Sequence, residues 1–209
     1  MFADMNREKA KWKDLTDEDL MLRVQSGETA CFDLLVDRYK TRLFNYLFRL
    51  TSNRDDAEEI AQEAFVKAYI HAEKYKTIAR FSTWLYTIAT NLVRNQMRSR
   101  SRKPKIFSLW GMGNRDDDGE KQIDIMDPGR NPEDTVNDNE LSVVISDAIE
   151  KIPEKYRASF VLREINQLSY EEIAAVTGLK LGTVRSRINR ARNYFRQIIE
   201  PVLKKGIDF

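Results

Sequence analysis

Apolar residues recur at every third or fourth position along several segments of the chain, which is the spacing of one face of an α-helix. The longest such stripe lies between residues 32 and 51 and comprises Phe32, Leu35, Tyr39, Leu43, Tyr46, Leu47 and Leu50. No segment alternates apolar and polar residues over the length of a strand. The pattern therefore predicts an all-α fold.

Polar residues and glycines mark where these helices should begin and end. Thr16 is placed to cap a first short helix, which Gly27 should end. Asp55 is placed to cap the third helix, and Ser82 or Thr83 to cap the fourth. These three predicted helices thus each have a hydrogen-bond acceptor ready for their first free backbone N–H groups.

A helix-turn-helix is predicted near the carboxyl end of the chain. Ser169 and Glu172 form a capping box that opens its first helix. Gly178 should end that helix in a left-handed conformation, and the pair Gly182 and Thr183 offers the cap of a second helix. This order of signals at this spacing is typical of DNA-binding proteins.

The second of these helices has a strongly cationic face. Five arginines and no acidic residue occur between Arg185 and Arg196. An ordinary amphipathic helix with a solvated basic face is the alternative, but the arginines cluster only after the turn. Guanidinium and amide groups suit base edges and phosphates in the major groove. The predicted contacts to duplex DNA are Arg185, Ser186, Asn189, Arg190 and Arg192.

The charge distribution divides the chain, although the formal net charge is only +2. Residues 92–105 hold six cations and no acid, whereas residues 114–140 hold ten acids and three cations. Residues 103–133 lack helical periodicity and are rich in glycine, proline and acids, so they are predicted to be a flexible linker. The linker separates a module at 16–102, preceded by an extension at 1–15, from a module at 134–209.

Several function classes are disfavoured by what the sequence lacks. One cysteine, Cys31, and one histidine, His71, cannot build a disulfide framework or a Cys/His zinc cluster. There is no glycine-rich phosphate loop and no apolar run of membrane-spanning length. The expectation is a cytoplasmic protein that is not an enzyme, has no cofactor, metal or small-molecule substrate, and does not insert into a membrane.

Two further helices carry candidate binding surfaces. An acidic ridge in the first turns of the third helix is better explained by its interaction with the helix dipole and solvent than as a metal site, because no histidine joins it. The fourth helix mixes aromatics, amides and arginines, which suit single-stranded DNA, although its tryptophan could equally serve packing. The ridge comprises Glu59, Gln62 and Glu63, and the fourth-helix set comprises Trp84, Tyr86, Asn91, Arg94, Asn95 and Arg98.

Two stretches resemble the conserved regions of bacterial RNA polymerase sigma factors of the extracytoplasmic-function (ECF) class. Residues 152–192, with the words LSYEEIA, GTVRSR and RAR, resemble the fourth region of that family. FSTWLYTIATN on the fourth helix resembles the family's second region. The loop before it reads KTIAR, where the family usually carries a glycine and an acid.

The resemblance implies a division of roles between the two modules. The acidic ridge would bind core RNA polymerase, the fourth helix would recognise and open the −10 element, and the helix-turn-helix would read the −35 element. Promoter DNA and core RNA polymerase are the implied partners, together with an anti-sigma protein that would hold the factor inactive. The alternative function is a helix-turn-helix repressor that binds duplex DNA without polymerase.

Overall fold

The computed structural model describes residues 11–102 and 135–204, and every regular element in these two ranges is helical. The all-α prediction is confirmed. The first range contains α1 (Asp17–Gln25), α2 (Ala30–Thr51), α3 (Arg54–Ile70), a 3₁₀ turn (Ala72–Lys74) and α4 (Phe81–Arg102). The second contains α5 (Thr135–Glu150), α6 (Glu154–Glu164), α7 (Tyr170–Thr177) and α8 (Leu181–Lys204). The predicted linker lies outside the described residues.

The capping predictions for α1 and α3 have different outcomes. Thr16 caps α1 as predicted, since its side chain accepts from the backbone N–H of Asp19. The cap of α3 is Asn53, two residues before the predicted Asp55, because an extended backbone at Asn53 lets its side chain accept from Asp56 N.

The amino terminus of α4 is capped from another helix rather than by its own residues. The helix begins at Phe81, and the Phe81 backbone N–H donates to Oε1 of Glu18 on α1 at 3.1 Å. The prediction that Ser82 or Thr83 would be the cap was wrong. Thr83 is buried, and its hydroxyl oxygen has no hydrogen-bond partner. A carboxylate at a helix amino terminus also interacts favourably with the helix dipole.

The core of the first module is formed by the apolar stripe of α2 together with α1, α3 and α4. Leu35, Leu43 and Leu47 of that stripe are fully buried. Trp12, which the sequence division placed in the 1–15 extension, is only 7% exposed and belongs to this core. The packed module therefore begins before Thr16.

The second module contains the helix-turn-helix, formed by α7 and α8. The capping box of Ser169 and Glu172 is present, and Gly178 ends α7 with φ +67°. The second helix, however, begins at Leu181, so Gly182 and Thr183 lie inside its first turn. The prediction that they cap α8 was wrong, because the backbone is already helical there and the Thr183 and Val184 N–H groups donate to Lys180 O.

The two modules pack against one another. Helix α4 contacts α7, and α2 contacts α5 and α6. The buried apolar residues of both modules form one continuous cluster. Among the described residues, no helix combines the length and the apolar character that crossing a membrane requires.

Candidate nucleic-acid and polymerase interfaces

Helix α8 buries one face and presents the other to solvent. Val184 and Ile188 are fully buried against α6 and α7, which orients the opposite face outward. Arg185, Ser186 and Asn189 are exposed on that face, near the amino end of the helix. A recognition helix contacts bases with this end, and the contact of these three residues with DNA stays a prediction.

The other two predicted contacts of α8 have partners within the protein. Arg190 is exposed, and its Nη1 donates to the hydroxyl of Tyr156 at 3.2 Å. Arg192 is half-buried and donates from Nε and Nη2 to Oε1 of Glu164, at 3.0 and 2.7 Å. The hydrogen bond to Glu164 raises the pKa of Arg192. Arg192 thus joins α8 to α6, in addition to any contact that it makes with DNA.

The predicted single-strand-binding residues of α4 differ in how far they are exposed. Asn91, Asn95 and Arg98 are exposed. Arg94 is half-buried, and its Nη2 donates to the carbonyl oxygen of Thr177 at 2.6 Å. Tyr86 is the exception: it is only 2% exposed, and burial raises its pKa to about 12.

The prediction that Tyr86 lies on the outer side of α4 was wrong. Its ring packs edge-on against Tyr46, with ring centroids 5.1 Å apart, and its hydroxyl accepts from Asn166 Nδ2 at 2.7 Å. Helix α4 is covered by α2 and α3 on one side and by α7 on another. Its buried surface is therefore wider than the single stripe that the periodicity indicated.

Trp84 takes part in an aromatic cluster at the amino end of α4. Its ring centroid lies 5.3 Å from that of Tyr75 and 6.3 Å from that of Phe81. The side chain is half-buried and packs against the core. The sequence left packing and DNA contact equally open for Trp84, and in this structure it packs while keeping part of its surface in solvent.

The loop that reads KTIAR, residues 76–80, lies between Tyr75 and Phe81 of this cluster. It is anchored by the hydroxyl of Tyr75, which donates to Ala79 O at 2.8 Å. At its centre Ile78 is 92% exposed. An aliphatic side chain so fully in water gains nothing from folding, so it is available to a partner.

The acidic ridge on α3 is confirmed as a solvent-facing surface. Glu59, Gln62 and Glu63 are exposed on successive turns, and Glu63 Oε1 lies 3.3 Å from Lys67 Nζ. Among the described residues, no cluster of acidic, histidine or cysteine side chains is arranged to hold a metal.

The sequence reading missed an apolar continuation of the ridge. Val66, Tyr69 and Ile70 are 55%, 44% and 60% exposed, and they follow the ridge residues at helical spacing on the same face. The sequence could have predicted this continuation, because Val66, Tyr69 and Ile70 lie seven residues, or two helical turns, after Glu59, Gln62 and Glu63. We call the six residues the α3 stripe.

Comparison with known proteins supports both modules. Residues 35–103 match the model of Sigma-70 region 2, and residues 142–194 match that of Sigma-70, region 4. The ECF RNA polymerase sigma-E factor of Haemophilus influenzae is 36% identical over 91% of this chain and 99% of its own length. The RNA polymerase sigma-H factor of Pseudomonas aeruginosa is 34% identical over 91% of this chain and 97% of its own length.

Solved structures show the same fold. The sigma factor RpoE in complex with the anti-sigma factor NepR, from Bartonella quintana, superposes with a TM-score of 0.62 at 21% identity, covering 85% of this chain and 98% of that one. CnrH in complex with the cytosolic domain of CnrY gives a TM-score of 0.62 at 23% identity, covering 88% and 97%. These relatives give no support to a repressor that acts without polymerase. The matches to both domain models, in their order, and the 36% identity to a sigma-E factor over nine-tenths of the chain establish that this protein belongs to the ECF RNA polymerase sigma factors.

Proposed function

We propose that three surfaces of the chain divide the work of promoter-specific transcription initiation: the α3 stripe, the exposed part of α4 and the amino end of α8. Initiation at promoters together with RNA polymerase is the function of the family to which the chain belongs. The assignment of residues to each step is the proposal. The protein acts where RNA polymerase and DNA are found, in the cytoplasm, and it contributes binding energy rather than an enzymatic reaction.

The amino end of α8 reads the −35 element. Arg185, Ser186 and Asn189 are exposed together on one face, which is the observation that supports this role. Arginine pairs with guanine O6 and N7, and an asparagine amide pairs with adenine N6 and N7. Arg190 and Arg192 lie one turn further along the helix, where hydrogen bonds to Tyr156 and Glu164 restrict the orientations of their guanidinium groups.

The α3 stripe binds core RNA polymerase. Its acidic half gives electrostatic orientation, whereas its apolar half offers the desolvated contact area that supplies most affinity at interfaces. Three apolar side chains that remain 44% to 60% exposed on one helix face are unusual on a free surface. Ile70 is expected to be an anchor, since it is the most exposed of the three.

Helix α4 holds the separated strand of the −10 element. Asn91, Asn95 and Arg98 are exposed near its carboxyl end and offer amide and guanidinium donors to bases and phosphates. Trp84 keeps part of its ring in solvent at the other end. Trp84 and Arg98 lie 14 residues apart along the helix, which corresponds to roughly 21 Å.

An inhibitory protein partner belongs to the same proposal. Of the two solved structures described above, one is a sigma factor bound to an anti-sigma factor and the other is CnrH bound to the cytosolic domain of CnrY. An analogous partner for this chain would cover surfaces that polymerase or DNA needs. Candidate surfaces are the α3 stripe and the exposed Ile78.

The exposed face of α8 is the observation that most directly supports the proposed function. Reconstitution with core RNA polymerase tests it. The full chain is mixed with core RNA polymerase, the complex is isolated, and its footprint on genomic promoter fragments is mapped. Protection should extend over two elements in the wild type. The double variant Arg185→Ala and Asn189→Ala should lose the upstream protection while still co-purifying with polymerase.

A further inference from the structure

A single carboxylate joins the beginning of α3 to the end of α4. Oδ1 of Asp56 accepts from Nε2 of Gln96 at 3.0 Å and from Nη2 of Arg100 at 2.6 Å. Asp56 is the third residue of α3, whereas Gln96 and Arg100 lie in the last turns of α4, 40 and 44 residues later. The bond to Arg100 is charge-assisted, and such bonds are the stronger kind. The two helices are therefore tied together at the point where α4 ends.

Asp56 does not cap its own helix. An acid at the third position of a helix commonly accepts from the backbone N–H of the cap residue, which completes a capping box. Here the cap residue is Asn53, and its N–H donates to Oγ1 of Thr51 at 3.4 Å instead. Asp56 is only 8% exposed, and its Oδ2 is buried with no hydrogen-bond partner among the described residues. A buried carboxylate with an unsatisfied oxygen lowers stability, so a contribution to stability alone does not explain it.

The end of α4 is a segment that needs an outside constraint. The last carbonyl groups of a helix have no partner within it, and the final turn frays first. Arg94 and Arg98 lie four residues apart, a spacing at which like charges disfavour the helix, and the sequence of α4 contains no acid. Asp56 belongs to a different helix that packs against α4. It supplies a counter-charge that the sequence of α4 lacks.

Asp56 holds the side of α4 that is turned away from the proposed DNA contacts. The exposed residues assigned to the −10 strand are Asn91, Asn95 and Arg98. Successive residues of an α-helix are rotated by about 100°, so Arg100 lies about 140–180° around the axis from all three. The Asp56 carboxylate can therefore affect the DNA-contacting face only through the conformation and orientation of the helix.

We propose that Asp56 is a positioning residue for the −10 strand. Through Gln96 and Arg100 its carboxylate keeps the last turns of α4 helical before DNA binds, which fixes the directions of Asn95 and Arg98. Ordering these side chains in advance reduces the entropy lost when the strand binds. The inference rests on the proposed role of α4 at the −10 element.

Four substitutions in the full chain test this role. Asp56→Asn removes the charge, keeps an oxygen acceptor and changes the volume of the side chain little. Asp55→Asn is the matched control, because it removes the same charge one position earlier in α3 from a residue that is exposed. Arg100→Gln breaks the same ion pair at a side chain that is 59% exposed, so the core stays intact. Arg100→Lys keeps the cation.

Each variant is bound to core RNA polymerase, and two fluorescein-labelled probes from a footprinted promoter are compared by anisotropy: the single-stranded non-template −10 element and the −35 duplex. Asp56→Asn and Arg100→Gln should each weaken binding of the single-stranded probe by about two- to twelvefold, the equilibrium change of one net hydrogen bond. The double variant should lose no more than either one, because both act through the same pair. Arg100→Lys and Asp55→Asn should bind like the wild type. Affinity for the −35 duplex and co-purification with polymerase should not change.

Hydrogen exchange separates positioning from general destabilisation. Backbone amides at 96–102, the end of α4, should exchange faster in Asp56→Asn, whereas those in the buried part of α2 should keep the wild-type rate. The slope of log affinity against log salt for the single-stranded probe should also stay unchanged, because the number of neutralised phosphates is the same.

Three results would overturn the positioning role. The first is wild-type affinity for the single-stranded probe in both Asp56→Asn and Arg100→Gln. The second is tighter binding with a steeper salt slope, which would mean that Asp56 withholds Arg100 from DNA. The third is an equal loss on both probes with faster exchange throughout the chain, which would reduce Asp56 to a structural role. Failure of the −10 assignment itself is distinguishable, since alanine at Asn95 and Arg98 would then also leave binding of the single-stranded probe unchanged.

Discussion

The guanidinium of Arg190 donates a hydrogen bond of 3.2 Å to the hydroxyl of Tyr156 and lies 6.0 Å from the centre of that ring. Tyr156 stands at the beginning of α6, whereas Arg190 is on the exposed face of α8. The hydrogen bond lowers the pKa of Tyr156 and raises that of Arg190. Tyr156 therefore restricts the orientations of Arg190 before DNA arrives, which reduces the entropy lost on binding.

Arg190→Ala is expected to weaken binding to the −35 element by about 1–3 kcal/mol if the side chain contacts a base. The fold should be unaffected, because Arg190 lies outside the apolar stripe of α8. Tyr156→Phe keeps the ring and removes the hydroxyl, so it should give a smaller loss. Affinities of the holoenzyme for promoters with matched and mutated −35 elements are the measurement. An equal loss on both promoters would reassign Arg190 to phosphate contact.

Charge reversal at Glu59 and Glu63 is expected to abolish association with core polymerase, because the two new cations would face like charges across the interface, which outweighs the apolar contact. The variant carries Glu59→Lys and Glu63→Lys, and the full chain should keep its helicity and its binding to −35 duplex. Glu171→Lys is the control, since Glu171 is exposed on α7 and is not part of the stripe. Co-purification with polymerase is the readout. Wild-type recovery of the double reversal would remove the stripe from the interface.

The sequence was sufficient to identify the helices and the exposed faces of α3 and α8. Helical periodicity identified the buried stripe of α2, and the capping box and Gly178 identified the helix-turn-helix. The outward positions of Arg185, Asn189, Glu59 and the others on those faces follow from the same spacing. These features depend on local geometry, which a periodic pattern encodes directly.

What the sequence did not reveal depends on contacts between distant residues. Tyr86 is buried because the hydroxyl meets Asn166, 80 residues later in the chain. The cap of α4 comes from Glu18, which is 63 residues before Phe81. A single helix's periodicity contains no information about which second helix will cover it, so Tyr86 was placed outside and Thr83 was assigned as a cap.

Removing the carboxylate of Glu18 should destabilise the first module. Glu18→Ala leaves the amino terminus of α4 without its cap, and caps typically contribute about 0.5–2 kcal/mol. Glu18→Gln keeps an acceptor but loses the charge, so it should be less harmful. The free energy of unfolding in urea is the measurement, with Glu73→Ala as an exposed control. Equal stability of Glu18→Ala and the wild type would show that solvent replaces the cap.

Stability should fall in alkaline solution as the buried phenol of Tyr86 ionises. Burial raises its pKa from 10.0 to about 12, so the folded state favours the neutral form. The resulting stabilisation is fully present below pH 10 and is lost as the pH rises through about 12, by up to about 1.4 kcal/mol per pH unit. Urea unfolding at several alkaline pH values tests this. An unchanged pH slope in Tyr86→Phe would mean that Tyr86 ionises equally in both states.

Strand opening is the step that distinguishes a sigma factor from other helix-turn-helix proteins. Extracting a base from a duplex costs a few kcal/mol, so α4 needs a stacking surface, cationic contacts and polymerase to hold the opened strand. Substituting alanine at Arg94, Asn95 and Arg98 together should reduce single-strand binding and its salt dependence, because up to about two phosphate neutralisations are lost. Permanganate reactivity of unpaired thymines in the promoter complex measures opening directly. The wild-type holoenzyme should expose thymines near the −10 element, whereas the triple variant should bind the promoter through its −35 contacts and expose fewer. If the wild-type complex forms under initiating conditions and no thymine reacts, α4 does not melt the promoter.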